Sequence, residues 1–318
     1  GILGATGMVG QRFVTLLDGH PWFDVKVLAA SKRSAGKKYE DAVQDRWFLS
    51  ESIPSSVRSK ILFDAVDDCE RIIDEVDFVF SALNMSRQEI FDLEERYARL
   101  ECPVVSNNSA HRFTEDVPMI IPEINPGHMG LISSQRKRIG TKRGFISVKS
   151  NCSLQSYVPA LSPLLSMGLV KVYVSTYQAI SGAGKTFDTW HDMQDNIIPY
   201  IKGEEQKSER EPMKIWGKVK YGKLIFADRP CITANCVRVP ISDGHTASVF
   251  AEFDYEVDID EILSSWDRYA MSQSRLPSSP EKFLRYVDVH DFQLKSQRLV
   301  DRGMAISIGR LKKVDRHT

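Results

Sequence analysis

Apolar residues recur at Val9, Phe13, Leu16 and Leu17 directly after the run Gly1-Ile2-Leu3-Gly4-Ala5-Thr6-Gly7-Met8-Val9-Gly10. That spacing predicts a helix entered from a buried strand through a tight glycine turn. Short apolar runs at Val25 to Ala30, Phe78 to Ala82 and Val104 to Val105 read as further strands, with a helical stretch near Gln88 to Leu100 between the last two. Strands alternating with helices predict a mostly parallel sheet with covering helices. Beyond Cys152 the pattern changes to longer β-rich stretches at Lys171 to Ile180, Cys231 to Pro240 and Ala247 to Tyr255, with a polar segment from Ile201 to Pro212 between the first two. This predicts an α/β domain over residues 1–150, an α+β domain over 151–297, and a return of 298–318 to the first domain.

The chain has 318 residues, more than one hydrophobic core usually serves, which agrees with two domains. Hydrophobic residues make up 42% and charged residues 26%, so disordered and fibrous classes drop out. Lys plus Arg equals Asp plus Glu at 42 each, and no net field favours nucleic acid or an anionic membrane as a partner. Apolar runs such as Val76 to Leu83 fall short of a membrane span. Cys69, Cys102, Cys152, Cys231 and Cys236 form no Cys-x-x-Cys pair and have no neighbouring His at metal-ligand spacing. The expectation is a soluble, cytoplasmic protein with free thiols and no metal.

Gly4, Gly7 and Gly10, between a strand end and a helix start, suit a tight turn, the close approach of a pyrophosphate, and close packing of helix on sheet. Phosphates would rest on peptide N–H groups at the helix N-terminus. Gly4, Thr6, Gly7, Met8, Val9 and Gly10 are therefore candidate dinucleotide-binding residues in a Rossmann-type domain. In an NAD-selective site the second strand commonly ends on an acidic residue. Here Val27-Leu28-Ala29-Ala30 runs into Ser31-Lys32-Arg33-Ser34. Arg33, with the hydroxyls of Ser31 and Ser34, suits a 2′-phosphate and favours NADP. Without the glycine turn upstream, the same loop reads as a basic surface.

Ser150-Asn151-Cys152-Ser153-Leu154 stands before an apolar-periodic stretch of Leu154, Val158, Leu161 and Leu165. Cys152 is thus expected at a helix N-terminus, where the dipole and free N–H groups suit a thiolate and an oxyanion. Pro159 and Pro163 make that helix short or kinked. A lone Cys in this position also fits a buried small apolar side chain. His245, in the turn Ser242-Asp243-Gly244-His245-Thr246 between two β-rich runs, is the candidate acid–base partner, and a solvated loop histidine is the alternative.

With these motifs in view, the chain resembles the aspartate-semialdehyde dehydrogenases, particularly their archaeal and fungal branch. The resemblance runs nearly end to end. It rests on Gly4-Ala5-Thr6-Gly7-Met8-Val9-Gly10-Gln11-Arg12-Phe13, on Ala30 to Tyr39, on Val79-Phe80-Ser81-Ala82-Leu83 and on Ser109-Ala110-His111-Arg112. Asn151-Cys152-Ser153, Gln178 to Gly184, Asp195 to Pro199, Gly203-Glu204-Glu205-Gln206-Lys207 and Arg238 to Thr246 complete it. Two departures stand out. Family members usually carry Asn-Pro-Asn before the cysteine and Ser-Thr after it, where this chain has Lys149-Ser150-Asn151 and Ser153-Leu154. Relatives also continue past the Gly309-Arg310-Leu311 region into a strand and a helix that packs on the cofactor domain, so a chain trimmed at both ends is expected.

The resemblance implies that Cys152 is the acyl-accepting nucleophile, His245 the acid–base and Gln178 a positioning residue. It assigns the substrate carboxylate to Arg238, the α-amino group to Glu205, the phosphate to Arg112 and Lys207, and a further substrate contact to Asn151. Ser81, Ala82, Ser181 and Gly182 join the cofactor-binding set. The second domain becomes a catalytic and dimerisation domain, and the assembly a homodimer or homotetramer. The implied reaction is NADPH-dependent reduction of aspartyl phosphate to aspartate semialdehyde, with release of phosphate, through a cysteine thioester. Two alternatives stay open: a malonyl-CoA reductase-like enzyme with the same thioester logic, and a catalytically silent nucleotide-binding homologue.

Overall fold

Six strands of the first unit form one parallel sheet: β1 (Ile2–Leu3), β2 (Leu28–Ala30), β3 (Phe63–Asp64), β4 (Val79–Ser81), β5 (Val104–Ser106) and β6 (Ile146–Val148). Their order, β3-β2-β1-β4-β5-β6, is that of a doubly wound Rossmann sheet. The computed structural model describes residues 1–271, 276–288 and 293–318. The unit comprises Gly1–Ile121, Pro126–Ser150 and Val219–Leu224, and the second unit comprises Pro122–Asn125, Asn151–Lys218 and Ile225–Thr318. β1, β2 and β6 are buried at every position, as expected where helices cover both faces of a parallel sheet. β3 and β6 did not stand out from the hydrophobic pattern because Asp64 and Ser147 interrupt their apolar runs.

Helix α1 (Met8–Leu17) lays Val14 into a core with Ile2, Ala5, Leu28, Ala30, Tyr39 and Val43. Helix α2 (Arg87–Arg99) opens with a capping box: the Ser86 hydroxyl accepts from the Glu89 N–H at 3.3 Å, and the Glu89 carboxylate accepts from the Ser86 N–H at 2.9 Å. It buries Ile90, Leu93 and Tyr97 on one face. Helix α3 (Ile132–Ile139) ends on Gly140 at φ +77°, and the buried Gln135 amide closes the outer edge of β6, donating to the Ile146 carbonyl at 2.9 Å and accepting from its N–H at 2.6 Å.

In the second unit β7 (Leu169–Gln178) is the centre of a three-stranded sheet, with β8 (Cys231–Arg238) parallel on one side and β9 (Thr246–Phe253) antiparallel on the other. Helix α4 (Glu204–Ile215) packs against β8, and helix α5 (Ile259–Met271) against β10 (Leu284–Val287), which pairs in parallel with β11 (Ile306–Gly309). Residues 298–318, expected to return to the first domain, cluster with the second. β11 pairs with β10, and the Phe253 N–H donates to the His317 carbonyl at 2.8 Å.

Helix α4 lies where the sequence showed only a polar segment, and it contains Pro212. A proline removes the hydrogen bond to the carbonyl four residues earlier, here that of Ser208. The Tyr157 hydroxyl donates to that carbonyl at 2.9 Å, so the position stays satisfied although Ser208 is fully buried. On an adjacent face, Glu205 and Glu209 accept from the outward N–H groups of β8 at Cys236 (3.4 Å) and Ala234 (3.3 Å). The polar character of the helix is thus spent on backbone groups. Among the described residues no helix is long and apolar enough to cross a membrane.

Tyr157→Phe should leave the Ser208 carbonyl without its donor and cost about 1–2 kcal/mol, read as a lower urea midpoint for the second domain.

Candidate functional site

β1 ends in a turn whose peptide groups are pinned from both sides. The N–H groups of Gly4 and Ala5 both donate to the Ala29 carbonyl, at 2.9 and 3.0 Å. Gly4 sits at φ +83°, and a Cβ there would lie 2.2 Å from the Ala82 carbonyl oxygen at the end of β4. At Gly10 a Cβ would lie 2.2 Å from the Gly4 carbonyl oxygen. Gly7 differs, since a Cβ there meets only that same oxygen, at 3.5 Å. Two glycines thus close the turn onto its own unit, while the third keeps it open at the start of α1. Gly7 is the N-cap of α1 and makes no side-chain cap bond. An uncapped helix N-terminus with an open glycine, at the strand order's reversal between β1 and β4, fits a dinucleotide pyrophosphate. Thr6, Met8 and Val9 lie along this turn, and Ala82 adjoins it.

The adjoining loop is more structured than its basic sequence suggests. Ser31 and Arg33 are exposed, but Ser34 is buried and its hydroxyl accepts from Arg46 Nη2 at 3.1 Å. Arg46 thereby places a second guanidinium beside the loop, which local sequence did not signal. Ser81 is fully buried, its hydroxyl donating to Glu94 at 2.6 Å and its carbonyl accepting from the Asn107 N–H at 2.8 Å.

In the second unit the strand ends assemble the reactive groups. Register places Gln178, the last residue of β7, opposite Arg238, the last of β8, while Thr246 of β9 pairs with Tyr177. Gln178, Arg238 and His245 therefore emerge at one end of the sheet. Ala179 follows Gln178, and its peptide groups hold two of them: its N–H donates to His245 Nδ1 at 3.0 Å, and its carbonyl accepts from Arg238 Nη1 at 2.7 Å. With Nδ1 accepting, the imidazole proton resides on Nε2. Nε2 lies 3.2 Å from Cys152 Sγ, so the ring offers a hydrogen bond to sulfur. In this tautomer the ring cannot also take a proton from the thiol at Nε2. Gly182 lies against both side chains, a Cβ there falling 3.0 Å from Arg238 Nη1 and 3.1 Å from His245 Cε1, and Ser181 precedes it in a 3-10 turn.

Cys152 is exposed and does not start a regular helix. A 3-10 turn (Ser153–Ser156), one α turn (Val158–Leu161) and a second 3-10 turn (Ser162–Met167) follow, with Pro159 and Pro163 in the opening positions of the last two. The expected macrodipole is correspondingly small. The Ser153 N–H donates to Asn151 Oδ1 at 2.9 Å, so the turn is organised by Asn151. The Asn151 amide nitrogen donates to Glu204, at 3.0 and 3.2 Å. Asn151, expected at the substrate, has its side chain engaged within the protein.

The acidic group of this cluster is Glu204, where Glu205 was expected. Glu204 is buried and accepts from Lys207 Nζ at 2.6 Å, one helical turn on, as well as from Asn151, while the nearby Gln178 amide donates to Thr176 Oγ1 at 3.2 Å. Burial opposes its ionisation, but Lys207, Asn151 and Gln178 together hold its carboxyl below the ordinary value. Glu205 lies one position around the helix, at the β8 backbone. The signal was in the sequence: residues three apart share a helical face with Lys207, and those two apart do not. Arg238 is buried, and burial lowers its pKa against the pull of Glu204 and Cys152. Arg112 belongs to the first unit, where it donates to the carbonyls of Lys149 (3.0 Å) and Asn107 (3.2 Å). Among the described residues no group of three or more His, Cys, Asp or Glu could hold a metal ion.

A Rossmann unit with an open glycine turn and a second unit carrying a Cys–His pair beside buried Arg and Glu define the class, a two-domain NAD(P)-dependent dehydrogenase. Residues 1–132 match the model described as semialdehyde dehydrogenase, NAD binding domain, and residues 161–318 match the semialdehyde dehydrogenase, dimerisation domain. The chain is 42% identical to the aspartate-semialdehyde dehydrogenase of Archaeoglobus fulgidus, over 98% of this chain and 88% of the relative. It is 36% identical to that of Saccharomyces cerevisiae, over the same shares. A crystal structure of aspartate semialdehyde dehydrogenase with NADP from Candida albicans superposes with a TM-score of 0.85 at 32% identity, covering 99% of this chain and 89% of that one. The chain belongs to the aspartate-semialdehyde dehydrogenase family.

Gly10→Ala should lower the thermal midpoint and weaken dinucleotide binding on the order of tenfold or more, because the new methyl overlaps backbone. Gly7→Ala should leave the midpoint near wild type and affect binding alone. Calorimetric titration beside a thermal melt reads both.

Proposed function

We propose that this chain reduces L-aspartyl 4-phosphate to L-aspartate 4-semialdehyde with NADPH, releasing phosphate, through a thioester on Cys152. The observation that carries this reading is the 3.2 Å contact of Cys152 Sγ with His245 Nε2, beside Arg238 and the Glu204–Lys207 pair. Its named relatives, aspartate-semialdehyde dehydrogenases, support it. The Cys152 thiolate, receiving a hydrogen bond from His245, attacks the acyl carbon, and the C–O bond to phosphate breaks with its electron pair on the departing phosphate. NADPH, when bound by the turn at Gly4 to Gly10 with Ser31, Arg33 and Ser34 at its 2′-phosphate, supplies the hydride that reduces the thioester. Cleavage of the C–S bond then returns an electron pair to sulfur, and the His245 N–H steadies the regenerated thiolate. The net reaction takes up one proton, which the departing phosphate acquires, and His245, at hydrogen-bond distance from sulfur, is the acid–base group of this reading.

Arg238 suits the substrate carboxylate through its guanidinium fork, and Glu204 suits the α-ammonium. Lys207 and Arg112 are the cations this reading gives to phosphate. Gln178 positions Glu204, and Ser181 and Gly182 complete the cofactor-binding set. Oligomerisation through the second domain accords with the family model's description, and we read the assembly as a homodimer or homotetramer in the cytoplasm.

The deciding assay is phosphate-dependent reduction of NADP by aspartate semialdehyde. Faster reduction of malonyl-CoA, which has no α-ammonium for Glu204, would overturn the assignment. Glu204→Gln should raise KM for aspartate semialdehyde on the order of tenfold by removing one charge from a buried pairing, while Glu205→Gln stays near wild type. Arg33→Ala should cost about 1.5–3 kcal/mol in NADP binding and little in NAD binding; an equal loss for both cofactors would remove Arg33 from the 2′-phosphate.

A further inference from the structure

The nucleophile is held from two directions, and one of the holding groups has no role in the chemistry above. Glu211 lies two helical turns beyond Glu204 on the same face of α4 and is almost fully buried, at 1% exposure. Its Oε2 accepts the backbone N–H of Asn151, the residue immediately before Cys152, at 2.6 Å. Glu204 takes the Asn151 side chain and Glu211 its main chain, so both contacts of α4 converge on one residue. The second anchor is independent. His245 is fixed by the Ala179 N–H at the end of β7.

We propose that Glu211 is a positioning residue for the nucleophile: its carboxylate oxygen, by holding the Asn151 N–H, sets the separation of Cys152 Sγ from His245 Nε2. The contact to Asn151 depends on the reach of the acceptor, because a neutral peptide N–H bonds to an amide oxygen as well as to a carboxylate oxygen. An oxygen drawn back by one methylene would let the Asn151 peptide rotate, and the sulfur, one residue on, would move with it. What directly follows Cys152 is a four-residue 3-10 turn and not a regular helix.

The proposal rests on the reading of Cys152 as nucleophile, and the test separates the two. Glu211→Gln keeps the reach and loses the charge, whereas Glu211→Asp keeps the charge and loses the reach. Glu211→Asp should lower kcat on the order of 10- to 100-fold, the scale of a displacement near 1 Å, with KM for NADP unchanged. Glu211→Gln should stay within about threefold of wild type, since an amide oxygen also accepts a hydrogen bond. Iodoacetamide alkylation of Cys152, measured by mass spectrometry against the other exposed thiol, Cys231, should slow in Glu211→Asp and hold in Glu211→Gln. Alkylation needs no substrate. A wild-type protein without phosphate-dependent activity would sink the functional reading while the alkylation contrast still decided this one. The proposal is overturned if Glu211→Asp matches wild type in both measurements, or if Glu211→Gln is the more impaired. Should Glu211→Asp fail to accumulate as soluble protein, a loss in Glu211→Gln of about tenfold or more in alkylation alone overturns it.

Discussion

One residue, Ala179, orders the reactive end of the second domain through the peptide groups on either side of it. The N–H of Ala179 fixes the His245 ring and its carbonyl fixes the Arg238 guanidinium, so a side chain from the end of β8 and one from the turn before β9 share one backbone reference. Their geometry follows from strand register, because Gln178 and Arg238 are paired and Thr246 begins its strand opposite Tyr177. A backbone reference is stiffer than a side chain one, since it carries no rotamer freedom of its own. It also dictates chemistry. A ring nitrogen that accepts from a peptide N–H leaves the other nitrogen to donate, and that nitrogen faces sulfur.

Helix α4 is the complementary support. A 12-residue helix with charged residues on several faces would ordinarily be a solvated one. Here Glu204 and Glu211 turn to Asn151, Glu205 and Glu209 to β8, and the carbonyl freed by Pro212 to Tyr157. Each of these contacts satisfies a polar group, a donor at Asn151 and β8 and an acceptor at Ser208, that would cost about 1–3 kcal/mol if left unpaired in a buried position. The helix thus joins the nucleophile turn to the sheet that carries its partners.

Much of this was legible before the fold was known. The tight turn at Gly4 and Gly10 was legible because only glycine tolerates backbone at 2.2 Å, whereas Gly7, with its nearest neighbour at 3.5 Å, is not required there by packing. Cys152, His245 and Arg238 were legible through residue chemistry and family resemblance together. Glu204 was not, because choosing between adjacent glutamates requires the phase of a helix, and the polar run gave no apolar period from which to read it. The support of Cys152 was also misjudged, since periodic apolar residues do not distinguish one helix from a succession of short turns. The C-terminal residues went astray for a different reason: the pairing of β11 with β10 is non-local, and two four-residue strands carry little signal of their partner.

The carboxylates along β8 have a bearing on how this protein meets other copies of itself. β8 is an outer strand of its sheet, and such a strand ordinarily exposes a row of N–H groups to which a foreign segment can attach. Here the outward N–H groups of Ala234, Cys236 and Arg238 are already taken by Glu209, Glu205 and the Ile198 carbonyl. Extension of the sheet from one molecule to the next along that margin would require α4 to lift away, dismantling the support of Asn151 with it. Assembly that preserves the nucleophile turn must therefore use surfaces other than this edge, and runaway strand addition there is blocked by the same helix that holds the turn.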